Sequence, residues 1–131
     1  MKVQKGSELF LSTENKVGKL GGVSELLKDN GVDVRAISAW ADSGKAFFRL
    51  ITSDNAKAKE ILTGLGSIEE KAVVLVDMPD EVGQLNNLCS KLKDNDIDLI
   101  YIYGTTFELG KSATIVFSSS DNDKALDIIS S

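Results

Sequence analysis

Val17-Gly18-Lys19-Leu20, then Leu27-Lys28-Asp29-Asn30 with Asp33 close behind, returns as Val82-Gly83-Gln84-Leu85, Leu92-Lys93-Asp94-Asn95 and Asp98. The recurrence lies 65 residues on (18 to 83, 33 to 98) and drifts only to 67 by the second helices (54 to 121), which puts small insertions in loops. A period of that length is too long for most solenoid units and suits two small modules, each folding around its own core. The expected division is 1–66 and 67–131. What the protein does is therefore something a pair of like modules does.

Around that stretch the first repeat reads strand, helix, strand, strand, helix. Glu8 to Thr13 is an apolar run of strand length closed by Glu14-Asn15-Lys16. Leu20, Val23 and Leu27 line one face of a helix, and Gly31 is placed to end it with a left-handed backbone. Val32 to Trp40 follows as a strand, Asp42-Ser43-Gly44 as a hairpin turn, and Ala46 to Thr52 as the returning strand. Ser53 or Asp54 then caps a helix with Ala58, Ile61, Leu62 and Leu65 on its apolar face. The second repeat runs the same way through Ala72–Val76, Leu85–Leu92, Ile97–Tyr103, Ala113–Ser118 and a helix using Ala125, Ile128 and Ile129.

A hairpin between two strand–helix crossings is the ferredoxin-like arrangement, an antiparallel sheet with helices on one face, so the fold class is α+β. That fold wants a fourth strand after each second helix. Gly66 to Lys71 supplies one briefly, and Lys2 to Lys5, which corresponds by the offset to Ser67 to Glu70, is placed to fill the other vacancy. Strict alternation puts Val34 and Ala36 on one side of their strand and Ile37 on the other, with Ile100 and Ile102 opposite Ile97 and Leu99. Both faces of several strands are thus apolar. The face away from the helices needs a second cover, from the other repeat, a second copy of the chain, or both.

Composition narrows the chemistry. With 131 residues, 42% hydrophobic and 27% charged, two half-length modules are each marginal and are expected to share an interface. No apolar stretch approaches the roughly 20 residues that cross a bilayer, and no signal-like segment follows Lys2 and Lys5, so no membrane role and a cytoplasmic address are expected. The net charge of −5, without a basic stripe, argues against nucleic acid. There is no histidine, and the single Cys89 reads as a small core residue beside Leu88 and Leu92. Neither a metal site nor a cofactor is expected. The scattered carboxylates offer no nucleophile, base and orienting group together, so the chain does not read as an enzyme.

One turn carries chemistry. Thr13 to Leu20 joins the first strand to the first helix, whose N-terminus exposes unpaired amide hydrogens and the positive end of the dipole to a carboxylate. Gly18 lacks a Cβ and admits a ligand to the backbone, while Asn15 offers an amide donor and acceptor. Asp33 supplies negative charge for an ammonium group. Carboxylate at the helix and ammonium at an acid describe a free amino acid. Equally, Asn15 serves as a helix cap and Asp33 as an ordinary solvated residue in the plainer reading.

The pattern Glu14-Asn15-x-x-Gly18-x-Leu20 with Gly31-Val32-Asp33-Val34, repeated in Asp80-Glu81-Val82-Gly83-Gln84-Leu85 with Ile97-Asp98-Leu99, resembles the ACT domain, a small regulatory module of βαββαβ fold. The resemblance spans nearly the whole chain as two tandem copies. It implies modules that pair side by side and hold an amino acid between the glycine turn of one and a strand of its neighbour. The implied ligand residues are Asn15, Val17, Gly18, Lys19, Leu20 and Asp33, with Asp80, Val82, Gly83, Gln84, Leu85 and Asp98 as a weaker second set. Two departures stand out. Val17 and Val82 occupy a slot where the family often has proline, and Asp80 replaces the asparagine with a charge that opposes a ligand carboxylate. The expected function is a stand-alone regulatory protein, a homodimer, that binds a small amino acid at inter-module interfaces and signals to a separate enzyme or regulator. The alternative is a subunit that docks on an enzyme of amino-acid metabolism without binding a ligand.

Overall fold

In the computed structural model, which describes residues 1–106 and 110–131, eleven secondary-structure elements follow the order the repeat dictates. The first repeat contains β1 (Lys2–Glu14), α1 (Lys19–Asp29), β2 (Val34–Asp42), β3 (Lys45–Thr52), α2 (Asn55–Leu62) and a 3-10 turn (Thr63–Leu65). The second contains β4 (Ser67–Pro79), α3 (Gln84–Asp94), β5 (Leu99–Thr106), β6 (Ser112–Ser119) and α4 (Asn122–Ser130). Two compact units form. One is Ser7–Lys71; the other is Ala72–Ser131 together with Met1–Gly6. The divisions 1–66 and 67–131 mark the sequence repeat, whereas these units mark which residues pack together.

The reason for the offset is the length of two strands. β1 and β4 each run 13 residues, so the first residues of each belong to one unit and the remainder to the other. In Ser7–Lys71 the strands lie in the order β2-β3-β1-β4, and in the other unit β5-β6-β4-β1, each with the outer strand that the short repeat lacked. The opening segment does fill the vacancy in the second repeat. There Val3 packs against the core and Lys5 pairs with Asp123 at 3.3 Å. An asparagine marks the start of each unit. Asn55 accepts hydrogen bonds from the amide and hydroxyl of Thr52 and donates to the Ser7 carbonyl at 2.8 Å, and Asn122 does the same with Ser119 and Ala72, donating at 3.1 Å.

Each unit has its own core. Leu9, Leu11, Phe48 and Leu50 of the sheet meet Val23, Leu27, Ala58 and Leu62 of the helices in one, and Val74, Val76, Phe117, Leu88, Leu92, Ala125 and Ile129 form the other. The caps follow the sequence. Asp54 accepts from the Lys57 amide at 3.1 Å, and Asp121 from the Lys124 amide at 3.0 Å. Ser43 (φ 51°) and Gly44 (φ 79°) make the hairpin turn, two positive angles in succession as a primed turn requires.

Three expectations are corrected. Alternation fails in β2 and β5, because a bulge shifts the register between Val34 and Ala36 and again between Leu99 and Tyr101. Val34 and Ile37 consequently share the core face, and Ile100 becomes an extra, exposed residue. Leu20 and Leu85, assigned to the apolar faces of their helices, are 48% and 52% exposed. They stand in the first turn, beyond the reach of the core that buries Val23 and Leu88. Cys89 is half-buried, beside the core and not within it.

Candidate ligand site

The loop after β1 is held from its first residue, where the Asn15 amide donates to the Gly44 carbonyl at 3.0 Å. The Lys19 amide donates to Lys16 at 3.1 Å, closing a turn, and Gly18 at φ 84°, ψ 5° redirects the chain into α1. That left-handed conformation is why glycine stands there; a Cβ on it would meet nothing within 4 Å, so the turn is open to its surroundings. No side chain caps α1 and no acidic residue lies in its first turn. Asn15 is therefore not the cap, and its side-chain amide makes no hydrogen bond among the described residues.

Beside this turn lies a cavity of about 300 Å³. Asn15, Gly18, Lys19 and Leu20 form one side, and Ala39, Ala41, Ala46 and Phe48 the other. The strand register explains the second wall. Ala39 pairs with Phe48 and Ala41 with Ala46, so all four point to the core face at the end of the edge strand, where small side chains leave room beside the helix. Val17 lines an adjoining hollow of about 300 Å³ on the other side of the first turn, with Gly22, Leu26 and Leu65. Asp33 joins neither. It follows the C-terminus of α1, a helix of 11 residues and so about 16 Å long, and its backbone is tied to Ser53 by two bonds of 2.9 Å.

The structure thus gathers Asn15, Gly18, Lys19 and Leu20, sets Val17 next door and holds Asp33 away within its own unit. The alanines and Phe48 were missed by the sequence reading. Alternating small residues at the end of a strand, opposite a helix start, are the signal that marks them. On the sheet face away from the helices, Trp40 stacks on Phe47 with centroids 5.5 Å apart, and Phe47 on Phe10 at 5.9 Å. The Arg49 guanidinium lies 4.7 Å from the Phe10 ring centre and donates at 3.0 Å to the fully buried Glu8.

The second repeat reproduces the turn, and a Cβ on Gly83 would likewise meet nothing within 4 Å, but the side chains around it are engaged. Gly83 adopts φ 93°, ψ −9°, and the Asp80 amide donates to Lys111 at 3.0 Å as Asn15 does to Gly44. The Asp80 carboxylate, however, accepts from the Gly110 amide at 3.1 Å, and Gln84 donates to Glu81 at 3.4 Å. Val82 and Leu85 project from the surface, and Asp98 is tied by its amide to Ser120 at 3.0 Å. Among the described residues, no group of three or more His, Cys, Asp or Glu is placed to hold a metal, and no helix is long and apolar enough to cross a membrane.

The family profile described as "ACT domain pair" matches residues 1–131. The chain belongs to this family. Solved structures of the same fold include a protein of Bacteroides thetaiotaomicron, 23% identical over 98% of this chain and 88% of that one, with a TM-score of 0.90. The ACT domain pair also matches the regulatory subunit of aspartate kinase from Thermus thermophilus at 12% identity, covering 98% and 94% of the two chains with a TM-score of 0.71. Aspartokinase alpha and beta subunits match at 16% identity, 98% and 95% coverage and a TM-score of 0.66. No curated protein sequence matches it. At these identities the structural likeness concerns the fold; the ACT assignment rests on the match along the whole chain.

Proposed function

We propose that this ACT domain pair is a homodimeric regulatory protein that binds a small amino acid between modules and passes the signal to a separate enzyme or regulator. The observation that carries the reading is the cavity of about 300 Å³ beside Gly18, at the small end of the range for ligand pockets, about 300–1,000 Å³. The ligand carboxylate takes the uncapped amides of the first turn of α1, and Asn15 adds a donor and an acceptor. The ammonium needs a carboxylate that the cavity's own unit does not bring, since Asp33 lies at the far end of α1. A neighbouring module solves this. β2 and β5 are the outer strands of their sheets and offer unpaired backbone groups. A second copy running antiparallel along β2 brings the start of its own strand opposite Ala39–Ala41. Each outer strand is preceded by an aspartate, Asp33 before β2 and Asp98 before β5, so a copy paired along either edge carries an acid at the start of its strand.

Exposed Val17, Leu20 and Ile37 flank this edge and give a side-by-side contact apolar area to bury. The second turn, with Asp80 committed to Gly110, serves as a structural partner in this scheme. Regulatory subunits of aspartate kinase from Thermus thermophilus and Thermus flavus have a like fold, which supports a separate chain as the signal's acceptor. Thermal melting against each of the twenty amino acids tests the reading, because a specific ligand at 100 times its dissociation constant adds about 2.7 kcal/mol of stability. One or a few amino acids are expected to raise the melting temperature, and the effect to disappear in Asn15→Ala and Gly18→Val. Flat melting across the panel supports the docking subunit instead.

A further inference from the structure

We infer that the amino acid taken by the first module carries an apolar side chain, a conclusion that rests on the preceding reading and names its ligand class. With the carboxylate at the Gly18 turn, the body of the ligand lies against Ala39, Ala41, Ala46 and Phe48. These side chains offer neither donor nor acceptor, and no carboxylate lines the cavity. A lysine side chain pressed there would lose its hydration while the acid that the neighbouring module brings is taken by the ligand's ammonium, and an aspartate side chain would meet methyl groups and an aromatic edge. The positive groups at the cavity, Lys16 and Lys19, stand on the turn side with the carboxylate, and Lys16 is paired with Glu14 at 3.5 Å.

A second observation points the same way. Leu20, beyond the reach of its helix's core, is half exposed on the cavity's rim. An apolar side chain seated between turn and strand covers surface that the isolated unit leaves wet.

Calorimetric titration of the full chain with glycine, L-alanine, L-valine, L-leucine, L-lysine, L-aspartate and L-serine tests the class. Affinity is expected to rise about fourfold per buried methylene from glycine to leucine, with lysine and aspartate at least tenfold weaker than valine. Ala39→Glu, at an exposed edge position that tolerates the change, is expected to abolish leucine binding without loss of fold by circular dichroism. Tighter binding of lysine, aspartate or serine than of leucine, lost in Asn15→Ala, overturns the apolar class and leaves the binding site standing. Leucine binding unchanged in Ala39→Glu overturns the role given to the wall. No heat and no thermal shift with any amino acid overturns the binding function itself, and this inference with it.

Discussion

The two repeats share a frame and differ at the turn. Gly18 and Gly83, Asp54 and Asp121, Asn55 and Asn122 hold the same positions with the same bonds, and bulges interrupt β2 and β5 at equivalent places. What differs is the chemistry of the turn and of the sheet face away from the helices. Asn15 keeps its amide free where Asp80 closes on Gly110, and the Glu8–Arg49 pair under Phe10 is replaced by Val73, Val116 and Leu75. Duplicated devices are those the fold needs. The unduplicated ones are candidates for what the pair of modules does, since a single copy suffices to bind.

That comparison can be broken at Glu8. Arg49→Ala takes the guanidinium from a buried carboxylate and is expected to cost about 3–5 kcal/mol in chemical denaturation. Its register counterpart Val116 carries no charge, so Val116→Ala costs only packing. Gly18→Val and Gly83→Val sharpen the contrast. Each forces a β-branched residue into a left-handed turn for about 1–2 kcal/mol of strain, equal in the two repeats, but only Gly18→Val removes a ligand-induced rise in melting temperature. Exchanging the turn residues reads the ligand site directly. Asn15→Asp is expected to weaken binding at least tenfold, about 1.4 kcal/mol, in calorimetry, and Asp80→Asn to leave the stoichiometry at one ligand per chain. The smallest effect concerns a helix end. After α1 the left-handed residue is Gly31, whereas after α3 it is Asp96 at φ 57°, and Asp96→Gly is expected to gain about 0.5–1 kcal/mol in thermal unfolding.

Most of the frame was legible because it depends on local rules. Gly31 ends α1 with the expected positive φ, with Val32 donating back to Leu27 at 2.9 Å, and the caps fall where Asp54 and Asp121 stand. The bulges were not legible, since an extra residue in a strand is recognised only against its partner, and Arg35 and Ile100 look like ordinary strand residues until Thr52 and Ser119 are set opposite. The site was half legible. The helix start and its glycine announce themselves, but a wall built from Ala39, Ala41, Ala46 and Phe48 depends on which strand faces the turn. Asp33 shows the limit most clearly. Fifteen residues from Gly18 in sequence, it is held beyond the opposite end of the intervening helix.

By itself the sequence determined that this protein is two copies of one α+β module, because helix periodicity, caps and left-handed glycines act within a few residues and recur with the 65-residue repeat. Long-range packing settled what the offset had suggested, that Met1–Gly6 completes the second copy, and revealed what nothing local announced, that the Gly18 turn faces a hollow lined with alanine. Both depend on strand pairing between segments far apart in the chain, and backbone hydrogen bonds that any residue can make leave no local mark of the partner they choose.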